Sequence, residues 1–322
     1  MARHSRLKLP IKNQQSAISN LVECVPNFSE GRKTETVERL AEAIAAVDTA
    51  CVLDTHIDPD HNRSVITFVA APAMIVEAAV RAVGLAAALI DMRQHVGVHP
   101  RMGATDVLPF IPISGVTMED CVALAHEAGA RIASELSIPV FFYERAALRA
   151  DRINLEDVRR GALELLREQI AVEPNRAPDL GPLMVHETAG AIAIGARPFL
   201  IAFNVNLGTT DVLTARKIAR SVRARSGGLP FVKALGFELS TRGLVQVSMN
   251  IVNYEVTGLT QAYDAVRREA ERAGVEIVSV EIVGLVPEKA LDKSAEYFQK
   301  LENFADDKIF EHRLRACGQI SS

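Results

Sequence analysis

The chain has no tryptophan, 5% aromatic residues and four cysteines in 322 residues. Cys24, Cys51, Cys121 and Cys317 share no CxxC spacing, so neither a zinc knuckle nor a disulfide framework is expected. Cys51 and Cys121 lie in apolar runs and read as buried thiols of a protein in the reducing cytoplasm. Positive charge is not in excess: the net charge is -4, which argues against the basic face that nucleic acid requires. Long apolar runs are missing as well. The most apolar helical stretch, Ala73 to Ile90, is interrupted by Glu77 and Arg81, and no membrane span is expected. Glycine-rich phosphate motifs are absent, since Gly190 and Gly195 have no glycine between them and Gly227-Gly228-Leu229-Pro230 is not a P-loop.

What remains is ordinary for a soluble globular protein, with 48% hydrophobic and 24% charged residues. The length suits two domains. Residues 1–20 carry Arg3, Arg6, Lys8 and Lys12 but no apolar secretory core, and are expected to form a loose N-terminal extension.

From Leu21 onward, hydrophobic spacing alternates between the periods of strands and helices. Leu21 to Cys24 reads as a strand ending at the turn Pro26-Asn27-Phe28-Ser29-Glu30-Gly31, and Glu35 to Val47 as a helix. Cys51 to Leu53 and Val65 to Ala70 read as strands around a polar loop, followed by a helix from Met74 to Ile90. Val107 to Ile113 is a strand, Thr117 to Ala133 a helix opened by a Thr117/Asp120 capping box, and Ile138 to Tyr143 a strand. A charged amphipathic helix is expected over Leu155 to Ile170, then a functional loop over Glu173 to Gly190. In the second half, strands at Phe199 to Leu207, Val232 to Leu239, Leu244 to Val252 and Val275 to Leu285 alternate with helices at Asp211 to Arg225 and Thr260 to Ala273. This is a βαββαβ order. The first half reads as the same unit with an added helix and strand. The expected fold class is therefore α/β (α+β), two ferredoxin-like βαββαβ-type subdomains covering residues 21–197 and 198–322, with a ligand cleft between them and a C-terminal helical tail.

Chemistry concentrates in Gln94-His95-Val96-Gly97-Val98-His99-Pro100-Arg101-Met102-Gly103-Ala104-Thr105-Asp106. Imidazole exchanges protons near neutrality, and glycine and proline set the backbone that presents it. His99, held between Gly97 and Pro100, is the leading candidate, with Asp106 as an orienting carboxylate; a structural histidine closing a loop is the alternative. A His95/His99 metal pair is disfavoured because Gly97 and Pro100 oppose the helix that such spacing needs. Asp54, His56, Asp58, Asp60 and His61 form a second polar cluster, read as a binding loop or solvated hairpin ahead of a metal site. Asn62 and Arg63 beside it suit a carboxylate. Gly181-Pro182-Leu183-Met184-Val185-His186-Glu187-Thr188-Ala189-Gly190 reads as a loop able to close over a flat ligand. Arg216, Lys217, Arg220, Arg223 and Arg225 read as a solvated helix face, with attraction of an anion as the alternative.

Several ordered blocks resemble glutamate formiminotransferase, including the formiminotransferase part of the bifunctional formiminotransferase-cyclodeaminase. They are Glu23-Cys24-Val25-Pro26-Asn27-Phe28-Ser29-Glu30-Gly31, Ile90-Asp91-Met92-Arg93, His99-Pro100-Arg101-Met102-Gly103-Ala104, Pro109-Phe110-Ile111-Pro112, Gly195-Ala196-Arg197, Leu200 to Leu207, Gln246-Val247-Ser248 and Val283 to Pro287. The resemblance implies transfer of a formimino group from N-formimino-L-glutamate to N5 of tetrahydrofolate, as in histidine degradation. It implies His99 as acid/base, Gly181 to Gly190 as the folate-contacting loop, two α/β subdomains and a homodimer. On it, Asn27, Asn62, Arg63, His95, Arg101 and Arg197 become expected substrate contacts. Tetrahydrofolate is the expected co-substrate and no metal is expected. Ala189 stands where the bifunctional enzymes carry tryptophan. Nothing resembling the cyclodeaminase domain follows Leu291, so that activity is not expected of this chain. The rival readings are a folate-dependent enzyme with another donor such as N-formyl-glutamate, a noncatalytic folate-binding module, and a metallohydrolase built on the Asp54 to His61 cluster.

Overall fold

The computed structural model describes residues 20–97 and 100–319. They fall into two units, one of residues 20–197 with 317–319 and one of Pro198–Ala316.

The first unit is built on a seven-stranded sheet. Its opening strand is broken by Val25-Pro26 into β1 (Leu21–Cys24) and β2 (Asn27–Phe28), and both pieces pair antiparallel with the same two neighbours. These are β4 (Arg63–Ala70), which forms a hairpin with β3 (Cys51–Asp58), and β5 (Thr105–Ser114). Beyond β5 the sheet continues in parallel through β7 (Ile192–Ala196) to β6 (Val140–Glu144). The helices α1 (Thr34–Ala45), α2 (Pro72–Leu89) and α3 (Met118–Leu136) bury their apolar sides with Cys24, Phe28, Ile66, Phe68, Phe110 and Phe142 in one core. Pro72 suits the first turn of α2, where its missing N–H leaves no bond unmade. The Thr117/Asp120 capping box expected for α3 is present. Alternation along the strands leaves Glu23, Arg63, Tyr143 and Gly195 on the face turned away from that core.

Four expectations change here. By length and composition α2 is apolar enough to cross a membrane, contrary to the sequence reading, yet Ile75, Val76, Val80 and Val83 are buried in the core, the ordinary position of such a helix in a folded domain. The helix expected over Leu155 to Ile170 is two pieces, α4 (Leu155–Val158) and α5 (Ala162–Gln169), because Gly161 and Ala162 adopt left-handed backbone. β7 was not expected as a strand; it is buried along its whole length, so it lacks the polar/apolar alternation that marks a half-exposed one. Finally, Cys51 is bonded to Cys317, with Cα atoms 6.4 Å apart across a sequence separation of 266 residues. Spacing cannot show such a pairing. Cys24 and Cys121 are buried free thiols.

The second unit follows the order β8 (Ile201–Leu207), α6 (Val212–Val222), β9 (Val232–Leu239), β10 (Leu244–Ile251), α7 (Leu259–Ala273) and β11 (Ile277–Val283). The strands pair antiparallel in the sheet order β11-β8-β10-β9. Phe203, Val247, Met249, Ile218, Tyr263 and Val266 share a core on one side of this sheet. Short helices α8 (Glu296–Gln299) and α9 (Phe310–Ala316) follow. Arg216, Lys217, Arg220 and Arg225 are exposed, which fits the solvated-face reading.

Candidate functional site

Four segments singled out in the sequence meet on the first unit. The β3–β4 hairpin turns within Pro59-Asp60-His61-Asn62, where the Asn62 N–H donates to the Pro59 carbonyl at 3.3 Å and Asn62 takes a φ of 48°. Asparagine tolerates that left-handed conformation better than most side chains. Its amide then joins two other segments: the Gly31 N–H donates to Asn62 Oδ1 (3.0 Å), and Asn62 Nδ2 donates to the Val96 carbonyl (3.0 Å). Only glycine fits at 31, because a Cβ there would stand 2.1 Å from the Asp58 carbonyl oxygen. Ser29 of the same turn donates from Oγ to the Gly103 carbonyl (2.7 Å).

Beside this junction lies a buried ion cluster. The Asp106 carboxylate is fully buried and accepts from Arg63 Nη1 (2.7 Å), from Arg159 Nη2 and from the Met102 N–H (2.8 Å). Arg63 Nε donates to Asn27 Oδ1 (3.1 Å), so the Asn27 turn and the hairpin are fixed to the same group. Burial works against the Arg63 charge, and the neighbouring Asp106 carboxylate offsets it. Two guanidiniums facing one carboxylate leave a surplus positive charge, and Arg159 Nε is buried without a hydrogen-bond partner. Such a cluster suits an anionic ligand, whose oxygens match guanidinium geometry.

The stretch around His95 forms the next segment. Arg101 Nε donates to His95 Nδ1 (3.2 Å), which leaves the proton on His95 Nε2 to donate to the Asn62 carbonyl (3.1 Å). Burial pushes the His95 pKa down, with Arg101 adding to the effect, so the ring is neutral at pH 7. Arg101 also pairs with Glu164 of α5 (2.7 Å), and its carbonyl accepts from the Leu163 N–H (2.9 Å). His99 lies outside the described residues, as do residues 1–19.

The loop Gly181 to Gly190 closes on this stretch through its second half. His186 and Gly190 exchange backbone hydrogen bonds (2.8 and 2.9 Å), and Ala104 N–H donates to the Ala189 carbonyl (2.8 Å). Met92 N–H donates to the Thr188 carbonyl (2.8 Å), and Arg93 pairs with Glu187 (2.7 Å). Leu183 and Met184 stay exposed, which leaves apolar surface at the tip for a ligand to cover.

Sequence reasoning missed three charged or polar members of this face. Arg159 falls within the expected charged amphipathic helix and was not singled out, although only 13% of its side chain is exposed. Glu23 is buried on β1, and its carboxyl is pushed up to about 8 by burial, against the pull of Arg197. Tyr143 is buried beside Arg197, with its hydroxyl pushed up to about 12 by burial, and its ring occupies the space that a Cβ on Gly195 would need. No periodicity marks a polar side chain as buried. In the second cluster, burial would raise the Asp58 pKa, but hydrogen bonds from His61, the closer at 2.6 Å, hold it near about 2. His56 is buried and Asp54 half-buried. Among the described residues no group of three or more His, Cys, Asp or Glu side chains is arranged to hold a metal ion.

The guanidinium pair on Asp106, the His95 imidazole and the exposed apolar loop tip all belong to the first unit, and their chemistry suits a small carboxylate-bearing molecule. Comparison with known proteins names the family. Residues 21–197 match the model of the N-terminal subdomain of the formiminotransferase domain, and residues 202–315 match the model of the formiminotransferase domain. The chain is 50% identical over 303 residues to a glutamate formimidoyltransferase of Thermoplasma acidophilum, covering 94% of this chain and 99% of that one. It is 43% identical to the glutamate formimidoyltransferase of Streptococcus pyogenes serotype M1, covering 92% and 99%. It is also 43% identical to the formimidoyltransferase-cyclodeaminase of Rattus norvegicus, covering 92% of this chain and 56% of that protein. The chain belongs to the formiminotransferase family, and it is a transferase.

Proposed function

We propose that the protein transfers the formimino group of N-formimino-L-glutamate to N5 of tetrahydrofolate, releasing L-glutamate and 5-formiminotetrahydrofolate. The observation that carries this reading is the match to glutamate formimidoyltransferases over nearly the full length of both chains. The surplus guanidinium at Arg63, Arg159 and Asp106 supports it, because the donor brings two carboxylates.

In the proposed reaction, N5 attacks the formimino carbon to form a tetrahedral intermediate, which collapses as the bond to the glutamate nitrogen breaks. A proton must leave N5 and another must reach the departing nitrogen. A single histidine between the two nitrogens does both, and that role is assigned to His99. Asp106 fixes Arg63, and Asn27 orients it further. Arg63, Arg101 and Arg197 are assigned to the carboxylates, Asn62 and His95 to holding the His99 stretch, and residues 181–190 to covering the folate. Holding both substrates face to face supplies a further share of the acceleration. The antiparallel strand order of the second unit supports a ferredoxin-like reading of that half. Homodimerisation and a cytoplasmic location belong to the same reading.

The test is an assay of purified protein with tetrahydrofolate and, in parallel, N-formimino-L-glutamate or N-formyl-L-glutamate, with products identified by mass. Formimino transfer alone supports the reading. Transfer only from the formyl donor replaces it with the alternative substrate.

A further inference from the structure

Arg101 does more than bring charge to the first unit, because both edges of its guanidinium that can fork around a partner are engaged. The outer edge meets the Glu164 carboxylate of α5, with Nη1 donating to Oε2 (3.0 Å) and Nη2 to Oε1 (2.7 Å). The inner edge turns back on its own segment, with Nε donating to His95 Nδ1 (3.2 Å) and Nη2 to the His95 carbonyl (3.4 Å). A planar guanidinium has such forks in fixed directions, and an ammonium does not. With its hydrogen bonds directed at Glu164 and His95, what Arg101 offers a substrate carboxylate is its charge.

These bonds join residue 101 to residue 95, and His99 lies between the two in the sequence. Each flank of that stretch has its own anchor. Before it, His95 Nε2 donates to the Asn62 carbonyl (3.1 Å), and Gly97 lies so close to the β3–β4 hairpin that a Cβ there would stand 2.6 Å from the His61 carbonyl oxygen. After it, the Leu163 N–H donates to the Arg101 carbonyl (2.9 Å). Glu164 follows Leu163, just past the left-handed pair Gly161 and Ala162, so the break between α4 and α5 delivers both an N–H and a carboxylate to Arg101. Hydrogen bonds from Arg101 hold the Glu164 carboxyl below the usual carboxylate range, which keeps it ionised. The Glu164 side chain is 63% exposed, and an ion pair with so exposed a partner adds little to folding. Its value lies in what it orients.

We propose that Glu164 is a positioning residue for the acid/base: it locks Arg101 as a clasp between residues 95 and 101, and the clasp sets where His99 is presented. The inference rests on the formimino-transfer reading above, in which His99 exchanges the protons. In this role Glu164 acts through Arg101, and Arg101 acts through His95. Placement governs the rate because proton transfer needs hydrogen-bond reach, and a displacement of about 1 Å costs up to about a hundredfold.

Steady-state kinetics on the full chain, with a melt for each variant, tests this role. Glu164→Ala is expected to lower kcat about tenfold, with KM for tetrahydrofolate within about twofold of wild type and a melting temperature close to it. Glu164→Gln keeps one acceptor for Arg101 and should fall between the two. Arg101→Lys keeps the charge but loses the forks, so kcat should drop by a similar factor. Because both changes break one link, the double variant Glu164→Ala/Arg101→Lys should stay within about twofold of the slower single variant, whereas independent roles would multiply to about a hundredfold. Proton–nitrogen correlation spectra of the histidines, with His95 assigned through His95→Gln, read the clasp without turnover. The wild type should show His95 protonated on Nε2 with Nδ1 accepting a hydrogen bond, and Glu164→Ala should move the Nδ1 signal toward that of an unbonded ring nitrogen. A purely structural role would not move it. Unchanged kcat in folded Glu164→Ala, an effect confined to KM, multiplying losses in the double variant, or an unmoved Nδ1 signal overturns the proposal while leaving formimino transfer standing. A wild-type protein that transfers no formimino group overturns that reading and, with it, the assignment of the clasp to proton exchange at His99, even where the nitrogen signals show the clasp formed.

Discussion

Asp106 is the residue on which the first unit's polar face turns. Its carboxylate serves Arg63, Arg159 and the Met102 N–H, so it holds a strand, a helix end and the motif loop in one arrangement. Truncating Arg159 should then act on substrate binding more than on folding, because Arg63 and Met102 still satisfy Asp106. We expect Arg159→Met to raise KM for N-formimino-L-glutamate about tenfold or more, the range of a hydrogen bond to a charged group, with a melting temperature close to wild type. Steady-state kinetics with a parallel melt checks this, and an unchanged KM removes Arg159 from the site. Glu23 supports a pH prediction. Burial raises its folded pKa to about 8 from the ordinary 4.5, so the folded state holds a proton that the unfolded chain has lost between those pH values. The stability associated with neutral Glu23 is present below about pH 4.5 and is lost as pH rises through about 8. Glu23→Gln should therefore flatten the fall in stability between pH 5 and pH 8, measured by urea midpoints across that range.

At the scale of elements, the loop that carries Gly181 to Gly190 is anchored from below by a buried ion pair. Arg152 pairs with Asp179 at 2.6 Å with both side chains about 5% exposed or less, and Asp179 also accepts from the Phe142 N–H (2.8 Å). Arg152→Ala leaves that carboxylate buried and uncompensated, which should cost about 3–5 kcal/mol. A chemical denaturation midpoint close to wild type would contradict it. The same region shows what a sequence conceals. The hairpin, the three long helices and the whole second-unit order were legible because their apolar residues repeat at periods of two or 3.6. The run from Leu155 to Ile170 reads as one charged amphipathic helix, and the break at Gly161 and the inward turn of Arg159 follow from tertiary contacts: Leu163 N–H on the Arg101 carbonyl and Arg159 on Asp106. The motif segments were visible as unusual chemistry. Which side chain bonds which, including the Asn62 amide between Gly31 and Val96, depends on segments far apart in the chain.

For the whole molecule, the Cys51–Cys317 bond closes a loop spanning nearly the full chain and returns residues 317–319 to the first unit. Chain-entropy arguments give a bond over such a loop on the order of 5 kcal/mol of stabilisation. Peptide mapping without reductant should recover the two cysteine peptides joined, and Cys317→Ser should lower the denaturation midpoint; alkylation of both thiols in the untreated native protein would contradict the pairing. The central claim for the molecule is formimino transfer. It is tested most directly by incubating the purified protein with tetrahydrofolate and N-formimino-L-glutamate, alongside His99→Ala. The account predicts 5-formiminotetrahydrofolate and free glutamate with the wild type, and a loss of turnover of at least about a hundredfold with tetrahydrofolate binding retained in the variant. Near-normal turnover by His99→Ala, or no adduct with the wild type, would contradict it.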